Sequence, residues 1–105
     1  MSRDWVTTAR QLGELANQTE ATVFQVLTDS NLTAAQAVQL HETVEEHALE
    51  FDRTLWEMER SKVDIALISV VEPLGRIWLR LSVTTTNSAR KQLGLEPIIV
   101  PRGIE

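Results

Sequence analysis

Apolar positions between residues 33 and 62 follow one helical period. Val44, Ala48, Phe51, Leu55 and Met58 recur in alternating steps of four and three, the spacing of a coiled-coil seam. Thr33 and Gln36 supply a TxxQ capping box at its start, where the threonine oxygen and the glutamine amide satisfy backbone groups that have no partner inside the helix. Upstream, Trp5, Ala9, Leu12 and Ala16 share one face of a first helix that Ser2 can cap. Asn17 and Gln18 interrupt that face, Thr19 opens a second short helix carrying Val23, Val26 and Leu27, and Asp29, Ser30 and Asn31 end it. The first thirty residues thus predict helix, short turn, helix.

Downstream of the long helix, the β-branched run at residues 63 to 71 predicts a connector or a short strand. Ser69, Glu72 and Pro73 announce a further helix, serine as its cap and proline in its first turn, with Leu74, Ile77, Trp78 and Leu81 as the apolar face. Residues 84 to 88 have poor helix propensity, and a kink or break is expected there. Gly94, Leu95 and Pro97 form a strong helix stop. The tail of Ile98, Ile99 and Val100 is strand-like, and its flanking prolines confine it to an edge or to a docked arm. The fold class is therefore all-α. A helix-turn-helix-like pair occupies residues 1 to 32, a long antiparallel helical hairpin residues 33 to 95, and an extended tail residues 96 to 105.

The long helix would measure roughly 43 Å at about 1.5 Å per residue, whereas a compact chain of this size has a radius of gyration near ~13 Å. Its apolar stripe must then meet another helix of the chain, another copy, or both. Val44, Phe51, Leu55 and Met58, with Leu74, Trp78 and Leu81 from the later helix, are the candidate oligomer interface. A single domain of 105 residues keeps only about 5 to 15 kcal/mol of net stability, so a subunit interface could supply much of it.

Composition narrows the function. An apolar content of 43% is ordinary for a folded domain. The lack of cysteine excludes disulfides and thiolate metal sites and fits a reducing compartment. No signal peptide is apparent, and the longest apolar run, Ile65–Val71, is broken by Ser69 and falls far short of the roughly 20 residues a membrane helix needs. These features predict a soluble cytoplasmic protein with no membrane partner. The net charge of −5 conceals an asymmetry. Residues 1 to 72 carry five basic side chains against thirteen acidic ones, whereas from Pro73 onward Arg76, Arg80, Arg90, Lys91 and Arg102 face only Glu96 and Glu105. A basic segment after an acidic helix reads as a phosphate-binding surface or as charge pairing between neighbouring helices.

Catalytic signatures are missing from the sequence: it has no glycine-rich phosphate loop, nucleophile elbow or thiol. His41, Glu42 and Glu45 spell HExxE, one residue from a zinc-protease motif, but they sit on a densely acidic helix whose carboxylates face water, so no metal or cofactor is expected. Trp5, Trp56 and Trp78 could stack on bases, but beside leucines at helical spacing they read first as core or interface. The chain reads as a non-enzyme.

The segment TARQLGELANQTEATVFQVLTDS, residues 8 to 30, resembles the helix-turn-helix of the lac repressor headpiece family. Gly13 matches the small position where two helices cross, Asn17 the turn, and Val23 and Val26 the inward face of the second helix. The resemblance implies that Thr19, Glu20, Thr22 and Gln25 lie nearest the bases. The segment departs from the family in Gln18, in Phe24 and in a second helix without arginine or lysine.

From residue 23 to 96, about two-thirds of the chain, the order of elements is similar to phage terminase small subunits. VFQVLTDSNLTAAQ leads into a long acidic helix with EFDRTLWEME, then VEPLGRIWLRL supplies a proline-led, arginine-bearing helix, and ARKQLGLEP closes in a leucine-glycine-leucine stop. That resemblance implies a non-enzymatic subunit of the host-cell cytoplasm that forms a homo-oligomeric ring, recognises double-stranded viral DNA and engages the large subunit holding the ATPase and nuclease. Arg76, Arg80, Arg90, Lys91 and Arg102 would contact phosphate, with Arg3 and Arg10 beside them, and Thr19, Thr22 and Gln25 nearest the bases. Two alternatives stay open: a small dimeric helix-turn-helix transcriptional regulator, and an acidic helical protein-binding adaptor or inhibitor.

Overall fold

Thr33 Oγ1 accepts the amide of Gln36 at 3.1 Å, and Gln36 Oε1 accepts the amide of Thr33 at 3.0 Å. The capping box is made, and α2 (Ala34–Arg60) begins where the sequence places it. A computed structural model describes residues 4 to 98, and adds α1 (Trp5–Leu27), α3 (Ile65–Val71) and α4 (Leu74–Gln92). The protein is all-α, with no strand among the described residues, and α3 and α4 join as one bent helix.

Residues 5 to 27 form one unbroken helix, which corrects the expected helix-turn-helix pair. Asn17 and Gln18 are exposed on its outer side, while Ala16 and Val23, seven residues apart, are both buried. Packing along that face outweighs the modest propensity of two polar residues. At Gly13, the expected crossing point, a Cβ would meet nothing within 4 Å beyond its own stretch of helix. Ser2 lies outside the described residues, and the cap is Asp4, whose carboxylate accepts the Thr7 amide at 3.1 Å and the Thr7 hydroxyl at 2.7 Å.

Residues 65 to 71 are helical rather than strand or connector. Asp64 caps them by accepting the Ala66 amide at 2.9 Å, so Ser69 is not the cap of α4 but lies inside α3. Pro73 precedes α4 with no side-chain cap at all. The threonine-rich stretch of residues 84 to 88 stays helical because Thr85 faces inward, fully buried, and donates its hydroxyl to the Leu81 carbonyl at 2.8 Å. Leu95 donates to the Arg90 carbonyl at 2.7 Å and Gly94 to that of Lys91 at 3.1 Å, with Gly94 at φ 77°. This double closure is the Schellman stop expected of LGL. The same closure ends α2, where Val63 donates to Met58 and Lys62 to Glu59, but there the left-handed residue is Lys62, at φ 54°.

The register of α2 on α4 follows from four pairs: His41 with Thr85, Glu45 with Ser82, His47 with Trp78, and Phe51 with Gly75. Numbers fall on one helix as they rise on the other, so the expected antiparallel hairpin is present. α1 lies beside both helices: its residues 15 to 22 border 40 to 47 and residues 22 to 29 border 36 to 43, so it runs against α2 and hence with α4, where Glu20 pairs with Arg80. The core comprises Ala16, Val23, Val44, Phe51, Met58, Val71, Trp78 and Leu81.

This core changes the reading of the oligomer interface. Val44, Phe51, Met58, Trp78 and Leu81 are buried within one chain, and Leu55 and Leu74 are half-buried against them. The molecule is elongated, with a longest extent of 48 Å and a radius of gyration of 15.5 Å. α2 packs mainly along α4, with α1 and α3 completing the core, so the stripe meets other helices of its own chain, one of the options its length left open.

Candidate functional site

The inward face of α4 is fixed by Trp78, Leu81, Thr85 and Ala89, all buried. The helical period then turns residues 76, 80, 87 and 91 to the opposite side. Arg76, Arg80 and Lys91 are exposed there, and this outward face is the main basic surface among the described residues.

Its charges are not all equally available. Arg80 Nη2 lies 3.5 Å from Glu20 Oε2 with both side chains largely solvated, a contact worth little in energy but enough to orient the guanidinium. Arg90 is half-buried, and its Nε donates to the Glu96 carbonyl. Asn87 Oδ1 accepts the Ile98 amide at 2.7 Å. The chain after α4 therefore doubles back along that helix, docking on its own last turns. Residues 99 to 105, the rest of the expected extended tail and with them Arg102, lie outside the described residues, as does Arg3.

Arg76 stands at the elbow between α3 and α4. With Ser69, Glu72, Gly75 and Leu79 it lines a shallow hollow of about 540 Å³. A guanidinium beside a hydroxyl can receive a phosphate oxygen, although Glu72 in the same hollow opposes an anion.

The residues assigned to base reading do not form a reading head. Thr19 and Thr22 line the cleft between α1 and α2 with Leu40 and Thr43, and Gln25 and Arg10 are exposed elsewhere on α1. With no turn before Thr19, no second helix projects from a first, and the regulator reading loses its structural basis. The HExxE motif is likewise divided. His41 Nδ1 lies 3.0 Å from Thr85 Oγ1 and 3.3 Å from Thr86 Oγ1, and Nε2 lies 3.7 Å from Glu45. These are interhelical and one-turn contacts, and no cluster of three metal-ligating side chains occurs among the described residues.

The tryptophans separate by role. Trp78 is buried, 6.1 Å from the His47 ring, and its Nε1 has no hydrogen-bond partner. Trp5 packs partly buried against the core. Trp56 is exposed, with the Arg60 guanidinium 4.5 Å above its ring. Sequence reasoning passed over the face of α2 that holds Leu49 and Trp56. Their spacing of seven residues, outside the main seam, was the available signal.

No helix is long and apolar enough to cross a membrane among the described residues. Comparison with protein families, curated proteins and solved structures gives no match to this chain.

Proposed function

We propose that this protein is a non-enzymatic assembly subunit of a phage DNA-packaging terminase, working as several copies in the cytoplasm of a bacterial host and presenting double-stranded DNA to the large motor subunit. The observation that carries the reading is the outward face of α4, where Arg76, Arg80 and Lys91 line one side of a helix braced along its length by an acidic partner. Over residues 76 to 91 that face runs about 22 Å, long enough to follow several phosphates, and the acidic α2 behind it orients the molecule with its basic side toward DNA. The proline-led α4 closing in a Schellman stop at Gly94 fits the same reading.

The test is duplex binding across a salt series. Each phosphate contact contributes about 0.9 to the slope of log affinity against log salt, so Arg76→Ala with Lys91→Ala lowers the slope by roughly 2 while helicity stays unchanged. An unchanged slope, or no salt-dependent binding by the parent chain, overturns the DNA role. The second reading, an adaptor for a protein partner, then takes its place. The exposed carboxylates of α2, Glu42, Glu45 and Glu46 among them, favour that alternative by suiting a basic partner.

A further inference from the structure

α2 shows two long faces. The inner one, marked by Ala37, Val44, Phe51 and Met58 at strict seven-residue spacing, is buried against the rest of the chain. The outer one carries Glu42, Glu46, Leu49, Arg53, Trp56 and Arg60, again in steps of four and three. Leu49 is 52% exposed and Trp56 57%, two turns apart on this same side. A large aromatic and a leucine at heptad spacing on a solvated helix are costly to leave in water.

The charges on this face identify what covers it. Its first half is acidic, through Glu42, Glu46 and the flanking Glu45, while in its second half Arg53 and Arg60 outnumber the flanking Glu57. Such a stripe complements its own reverse. The geometry points to an antiparallel pairing of α2 with α2 of a second copy, about a two-fold axis beside residue 50. With a rise of about 1.5 Å per residue, Glu46 then sits within about 1.5 Å of the level of the partner's Arg53, and Glu42 within about 3 Å of that of the partner's Arg60, each twice by symmetry. Leu49 meets its own counterpart near the axis. A parallel pairing would set like charges together along the whole stripe.

Two local contacts prepare the surface. Arg53 Nη1 lies 3.8 Å from Glu50 Oε2, so the acidic charge nearest the axis already has a cation beside it. Arg60 lies over the Trp56 ring, 4.5 Å from its centroid, so one face of this exposed indole already carries a cation.

The inference rests on the assembly part of the proposed function and on none of its DNA part. It is tested by sedimentation or light scattering of the full chain without DNA, with circular dichroism to verify folding. The parent chain is expected at twice its 11.8 kDa mass, or at a higher even multiple. Glu46→Arg alone or Arg53→Glu alone sets like charges against each other across the axis and halves that mass. The two together restore the charge pattern in mirror form and recover the parent mass. A monomeric parent overturns this interface and removes assembly from the proposed function. A parent assembly whose mass ignores both single variants, or a double variant that does not recover, overturns the α2 pairing alone.

Discussion

His41 Nδ1 lies 3.0 Å from Thr85 Oγ1, and that hydroxyl in turn donates to the Leu81 carbonyl at 2.8 Å. With the threonine proton directed to the carbonyl, its oxygen is placed to accept from His41 Nδ1, while Nε2 of the same ring lies 3.7 Å from Glu45. Thr85 is fully buried, so Thr85→Val keeps shape and removes this acceptor between α2 and α4. The expected loss is about 1 kcal/mol. Thermal unfolding should shift down by roughly 4 to 8 °C for a domain of this size.

Gly13 separates the two architectures considered for residues 5 to 27. A helix-turn-helix needs a small residue there, and a side chain would push two helices apart. In the continuous α1 the position is helical with open space around it. Gly13→Ala is therefore expected to raise stability by about 0.5 to 1 kcal/mol through reduced backbone freedom in the unfolded chain. Denaturant midpoints measure this, and a fall in midpoint would contradict the continuous helix.

Lys62 occupies the left-handed position that ends α2, at φ 54°. A side chain there crowds the following carbonyl at a cost of about 1 to 2 kcal/mol. The two amide bonds that close the helix come from residues 62 and 63 and do not need the lysine side chain. Lys62→Gly keeps both and relieves the crowding, so it should raise the chemical-denaturation midpoint at unchanged m-value.

Asp4 gives a pH dependence of known sign. The Thr7 hydroxyl, followed by the Thr7 amide, holds its carboxyl below the usual range by favouring the charged form. Its folded-state pKa lies under its unfolded value, so the stabilisation is present above the ordinary aspartate range and is lost as pH falls through the folded pKa. Helicity followed by circular dichroism should show an acid-side decrease that Asp4→Asn makes smaller, since asparagine still caps but does not titrate.

Local chemistry read well from sequence wherever one or two side chains decide the outcome. The Thr33 and Gln36 box and the Gly94 stop are such cases, because each satisfies named backbone groups within a few residues. Reading failed where packing overrides propensity. Asn17 and Gln18 resemble a break, yet they only colour the solvent side of a helix held by Ala16 and Val23. Residues 63 to 71 look like a strand for their β-branching, although Leu67, Val71, Leu74, Trp78, Leu81 and Thr85 repeat in steps of four and three straight across Pro73. The basic side chains of α4 were legible as a group, but not the engagement of Arg80 by Glu20 or of Arg90 by the returning chain, which depend on contacts distant in sequence or past a turn.

The bend before α4 carries a consequence for how the molecule breathes. Pro73 brings no amide to the ladder, and the next two rungs are short-span bonds, Gly75 to Glu72 at 3.0 Å and Arg76 to Pro73 at 3.1 Å. The rungs of α3 and α4 are thus interrupted at one place, and opening can start there without unzipping either neighbour. Isotope exchange at backbone amides should divide this bent rod into two zones with separate protection. The short zone before the proline would lose its label first, while the far end of the hairpin keeps its own until the whole chain unfolds.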